Sequence, residues 1–102
     1  MTGIEEIAKE RKKQISEEHK SAEFDVLVNS ESQLLSAALL LPLAHFRKNN
    51  DEYCPEGWNL QEWRELCCKP QRERLILAGA LLAAEIDRID LINEARGKQT
   101  KG

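Results

Sequence analysis

The segment LILAGALLAAEIDRIDL, residues 75–91, places apolar side chains on nearly every face of a helix and sets one acid, Glu85, inside the apolar run. A helix that is apolar all round has to be buried all round. A chain of 102 residues has little mass of its own to surround it. Part of this surface is therefore expected to meet a second copy of the chain. A buried carboxylate also needs a cation, a metal or a hydrogen-bond donor beside it. Arg88, three residues on, is a side-chain neighbour of Glu85 on the same helix.

The segment has two apolar faces. Leu75, Ala78, Leu82, Ile86 and Ile89 form one. Ile76, Gly79, Ala80 and Ala83 form the other, which Asp87 and Asp90 extend. Gly79, Ala80, Ala83 and Ala84 are small enough for another helix backbone to come close. One face suits a helix of the same chain and the other a symmetry mate. The alternative is a monomer whose first helix covers the second face.

Ala, Leu, Glu, Lys, Arg and Gln, all good helix formers, dominate the chain, and its length fits one domain. We expect an all-α fold: a small bundle of three longer helices and one short one, assembled as a homo-oligomer, over residues 1–96, with a flexible tail at 97–102. The net charge of −3 gives no overall attraction to DNA, RNA or an anionic membrane. No apolar run reaches the roughly 18 residues of a membrane span, and MTGIEEIAKERKK lacks the apolar stretch of a secretion signal. The odd cysteine count, Cys54, Cys67 and Cys68, without zinc-site spacing, predicts reduced thiols and a cytoplasmic protein.

Local signals predict the elements. Thr2 with Glu5 is a capping box for a first helix from Gly3 to His19. Its stripe, Ile4, Ile7, Ala8, Arg11 and Ile15, puts Arg11 toward the core. There it either lies along the core edge or pairs with a buried acid. Residues 20–28 read as an irregular connector. Asn29, Ser30 or Ser32 caps a second helix bearing Leu34, Leu35, Ala37, Ala38 and Leu41, kinked or broken at Pro42. Residues 47–59 are a loop. Asn59 caps a short helix to Cys67, and Pro70 opens the last helix, to about Glu94.

Several segments carry a resemblance: ERKKQISEEHKSAEFD (10–25), QLLSAAL (33–39), WNLQEW (58–63) and KPQRERLILAGALLAAEIDRID (69–90). They resemble a family of small phage and prophage proteins that read E-R-x-x-Q-I, E-H-D-D, G-E-L-x-x-A-A, a tryptophan-rich stretch with K-P, and A-G-A-L-I-x-A-E-I-D-R. That family is similar to the MazG-like all-α nucleotide pyrophosphohydrolases, oligomers that cleave nucleoside triphosphates with magnesium. The resemblance implies an oligomeric helical frame and a nucleotide-type ligand. The chain departs from the pattern where carboxylates belong. Phe24, Asp25 and Val26 replace H-D-D, and Ser32, Gln33 and Leu34 replace G-E-L. Glu5–Glu6 and Glu17–Glu18 are followed three residues later by Lys9 and Ser21. No Glu precedes an Asp by three positions; Asp87–Asp90 is the nearest substitute.

Three groupings are candidates for chemistry. Glu85 and Gln33, facing each other across two helices, would bind a ligand's polar edge or a metal, with Arg88 beside them. Glu10, Arg11 and Gln14 would complete that pocket. Lys69, Arg72 and Arg74, with Arg64 near, sit by a helix start, where free N–H groups and the dipole attract phosphate. Trp58, Trp63 and Tyr53 precede it, a stacking surface for a base. The structural alternative for each is an internal ion pair, a buried network or a solvated face.

The leading expectation is a phage-type protein that sequesters a nucleotide or nucleotide-derived immune signal without turnover, as counter-defence in the host cytosol. It needs no cofactor and no catalytic residue. A divergent MazG-like hydrolase is the alternative, with Glu85, Asp87, Asp90 and Glu31 or Asp25 holding magnesium. A third reading is an interaction module whose tryptophan loop contacts a host protein.

Overall fold

The computed structural model describes residues 1–18 and 21–100. Helix α1, Gly3–Ser16, starts at the capping box: the Thr2 side chain accepts from Glu5 N–H and the Glu5 carboxylate from Thr2 N–H. It ends at Ser16, before the predicted boundary; His19 lies outside the described residues.

The predicted connector is in fact a helix. Ser21 accepts from the backbone N–H of Phe24 and opens α2, Ala22–Val28. The alternation of Phe24, Val26 and Val28 hid a one-sided turn that buries Asp25 and Asn29, 1% and 3% exposed. Helix α3, Gln33–Leu40, follows a turn in which Ser32 holds a left-handed backbone (φ 66°) and makes no side-chain cap. Pro42 lacks an N–H, and the chain tightens there into the 3-10 turn Leu41–Phe46. A second 3-10 turn, Asp51–Tyr53, lies in the loop. Asn59 caps α4, Leu60–Cys67, by accepting from Glu62 N–H at 2.9 Å.

Helix α5, Gln71–Thr100, is the hub. It runs past the predicted end and into the segment read as a tail, as far as Thr100. At 1.5 Å per residue its thirty residues span about 45 Å, most of the molecule's 52 Å long axis. The described residues thus form five α-helices and no strand. Only α1 and α5 are long, against the three longer helices expected.

Helices α1, α2 and α3 all pack on α5. The core joins Leu34, Ala37, Ala38 and Leu41 of α3 and its extension to Trp63 of α4 and to Ala78, Leu81 and Ala84 of α5. Alanines on both helices let α3 and α5 approach closely. The second predicted apolar face of α5 is covered by α1: a Cβ on Gly79 would lie 2.5 Å from Ile7 Cδ1. Of the first face, Ala78 joins the core, while Leu75, Leu82, Ile86 and Ile89 stay open at 50%, 43%, 59% and 42% exposed. Among the described residues no single helix is long and apolar enough to cross a membrane.

Arg74 repairs the break at Pro42. It is buried, and its guanidinium donates to the carbonyls of Lys69, Leu41 and Pro42 at 2.9, 2.8 and 3.1 Å. A helix end that loses its ladder leaves carbonyls in need of donors, and one arginine supplies several.

Candidate functional site

A cavity of about 320 Å³ opens between α1, α2, the Gly57–Trp58 turn, α4 and the inner side of α5. It lies within a single chain. Its floor is apolar: Leu34, Leu41, Leu66, Leu77, Leu81 and Ala84. Two aromatic side chains, Phe24 and Trp58, line it. Its polar groups are Glu10, Arg11, Gln14, Glu18, Asp25, Asn29, Asn59 and Glu62.

Local chemistry places Trp58. Residues 55–58 make a tight turn in which Trp58 N–H donates to Pro55 C=O at 3.1 Å. Gly57 takes φ +80° there, the conformation that a type II turn asks of its third residue. The indole is then fixed by a chain of hydrogen bonds. Trp58 Nε1 donates to Asn29 Oδ1 at 2.8 Å, and Asn29 Nδ2 donates to Asp25 Oδ1 at 2.6 Å. This chain ties the loop to α2 and orders one wall. Trp63 stands edge-on to Trp58 at 6.2 Å, but it is fully buried and donates to Asn50 C=O at 2.8 Å. It supports the wall from behind.

The α1 wall holds three predicted residues. Gln14 donates to Glu10 at 3.4 Å. Arg11, only 8% exposed, pairs with Asp87 of α5 at 3.1 Å; the sequence reading had a buried acid there, whereas the Asp87 side chain is 47% exposed. The buried guanidinium thereby has a counter-charge, as burial demands.

Other predicted groupings come apart. Glu85 and Gln33 do not meet. Glu85 clasps Arg88 through paired contacts, one at 3.2 Å, and both side chains are nearly buried. That partner holds the Arg88 guanidinium's pKa above its ordinary value. Gln33 braces the α2–α3 turn: its carbonyl accepts from Glu31 N–H at 2.6 Å and its amide donates to Val28 and Glu56 carbonyls at 3.4 Å. The basic cluster is dispersed. Lys69 pairs with Glu73 at 3.9 Å, Arg72 with Glu6 at 2.8 Å and Arg64 with Asp51 at 2.7 Å, while Arg74 serves carbonyls. Their closeness in sequence concealed the distant partners of Arg72, Arg64 and Arg74. A phosphate would have to break an ion pair at Lys69, Arg72 or Arg64, or carbonyl hydrogen bonds at Arg74.

Of the predicted site residues, Glu10, Arg11, Gln14 and Trp58 line the cavity; Gln33, Tyr53, Trp63, Arg64, Lys69, Arg72, Arg74, Glu85 and Arg88 do not. Phe24 and Asn29 were missed as cavity residues, and Asp25 was named only as a magnesium ligand of the hydrolase alternative. The signal for them was a polar i, i+4 pair, Asp25–Asn29, inside an apolar run, a spacing that sets both on one helix face. Among the described residues, no group of three or more His, Cys, Asp and Glu side chains is gathered closely enough to hold a metal ion. No family model, no curated protein and no solved structure matches the chain.

Proposed function

We propose that this protein binds and holds a nucleotide-type ligand, the base lying in the cavity against Trp58. The observation that carries this reading is a preordered aromatic wall over an apolar floor, with Gln14, Asn29 and Asp25 at its edges. A flat, polar-edged heterocycle matches such a surface: stacking on an indole is tolerant of base identity, and a few polar groups set orientation. The size of the cavity suits the base and sugar, with phosphates outside. A role in counter-defence, sequestering a nucleotide-derived signal as a homo-oligomer, extends this reading.

Two arrangements support holding over hydrolysis. Glu85 and Asp87, two carboxylates a magnesium-dependent hydrolase would draw on, are engaged by Arg88 and Arg11. Magnesium-assisted phosphoryl chemistry needs several acids free to converge on the metal and the substrate. Glu10, Glu18 and Glu62 also line the cavity. They repel bare phosphate, so nucleosides bind more tightly than nucleotides unless a divalent cation accompanies the phosphates.

Calorimetry against nucleosides, nucleotides and cyclic dinucleotides, with and without magnesium, tests the reading, with the ligand recovered after denaturing the complex. Saturable binding with intact ligand is the expected result. Released pyrophosphate or hydrolysed ligand would overturn holding. Absence of heat for every compound at millimolar concentration would overturn the nucleotide assignment.

A further inference from the structure

We propose that the outward stripe of α5 pairs with the same stripe of a second copy, antiparallel, about a two-fold axis at Leu82. This rests on the homo-oligomer part of the functional reading and not on the ligand. Leu75, Leu82, Ile86 and Ile89 follow one another at intervals of seven, four and three. That spacing is a single seam along a helix. All four are about two-fifths exposed or more, while Ala78, Leu81 and Ala84 of the same helix are buried. The seam therefore lies on the side of α5 away from the cavity, whose floor includes Leu81 and Ala84.

These four side chains leave on the order of 400 Å² of apolar surface, the size of the largest patch on a typical monomer, which is often functional. Helix α3, packed on α5, adds outward leucines of its own, Leu35 at 38% and Leu39 at 61% exposed. A helix seam of this length suits an identical helix, since a two-fold axis makes any self-complementary stripe its own partner.

Charge selects the direction. Arg72 flanks the seam at its N-terminal end; it reaches Glu6 and its side chain remains 65% exposed. Asp90, exposed, flanks the C-terminal end. In an antiparallel pair centred on Leu82, Leu75 faces the partner's Ile89 and Arg72 falls close to the partner's Asp90. A parallel pair would leave Arg72 and Asp90 of the two copies on opposite sides of the seam, with no such contact. Antiparallel helix dipoles favour the same choice. Each copy then presents its cavity outward, and neither completes the other's.

Disulfide trapping tests the geometry, in a chain whose native cysteines are replaced by serine and whose helicity matches the wild type. Leu82→Cys should cross-link to itself, and Leu75→Cys should cross-link to Ile89→Cys when the two are mixed. Leu75→Cys alone should react about tenfold more slowly, because proximity sets the effective thiol concentration. Equal self-linking at all three positions would mean a parallel pair and would overturn the proposal. Sedimentation equilibrium of the unmodified protein is the independent check. It should show twice the 11.7 kDa chain mass, and Leu82→Glu should return it to one. A wild-type chain that stays monomeric at high micromolar concentration, or a dimer indifferent to Leu82→Glu, would equally refute it. A failed ligand titration leaves each of these outcomes unchanged.

Discussion

Single side chains carry much of the internal order, and they do so in pairs. Glu85 and Arg88 neutralise one another where neither is well hydrated. Removing one member of such a pair strands the other. Arg88→Leu should lower the unfolding free energy by about 3 kcal/mol, read by urea denaturation, and Glu85→Leu combined with Arg88→Met should regain most of it. The sequence showed this pair because its members are one turn apart. It did not show Arg11–Asp87, whose partners are 76 positions apart.

Half-buried Asp51 behaves differently. Arg64 holds its carboxyl below the ordinary value of 3.8. Folding thus favours the ionised form. The contribution is whole above 3.8 and is lost as pH falls through the lowered folded value. Asp51→Asn should be less stable than wild type at neutral pH, and the gap should close below that pH. A gap that stays constant into acid would contradict the assignment. The thiols also separate. Burial pushes Cys54 and Cys67 up, with Asp51 adding to the effect at Cys54, and only Cys68 is exposed. Since the thiolate is the reactive form, an alkylating reagent should modify Cys68 first, located by peptide mass.

Elements were legible in the sequence where their signals are local. Thr2 with Glu5, Asn59, and the break at Pro42 each act within a few residues, and each appears where expected. Helix α2 was not legible. Seven residues are too few to form a helix unaided. What holds it is tertiary: Asn29 to Trp58 across 29 positions, and packing on α5. The same distance effect hid half the cavity wall. The Gly57 turn is the element that delivers Trp58. No atom would crowd a Cβ there, but the backbone is left-handed, so Gly57→Ala should cost about 1 kcal/mol by strain alone. It should also weaken ligand binding by shifting the indole. Unchanged stability and affinity would show that the turn tolerates the side chain and does not govern Trp58. At Gly79 the constraint is steric. Gly79→Leu should push Ile7 and α1 away from α5, costing about 1–3 kcal/mol, and Ile7→Ala should restore part of that loss.

At the scale of the molecule, α5 explains the rest. Its near-continuous apolar surface predicted more covering than one short chain supplies. The structure divides that surface into a side under α1, an inner side that floors the cavity and an outward seam. The basic residues at its N-terminal end, which looked like a phosphate site, are bound into the scaffold. The proposed recognition therefore draws on the aromatic wall and not on that cluster.

The most direct measurement is tryptophan fluorescence during titration with nucleosides. The account predicts saturable quenching or a spectral shift, because a base stacked on Trp58 changes the indole's surroundings. Trp58→Phe should remove most of that signal and keep weaker binding by calorimetry, since a phenyl ring still stacks. Emission that stays constant through saturating nucleoside, or a response that survives Trp58→Phe undiminished, would contradict it.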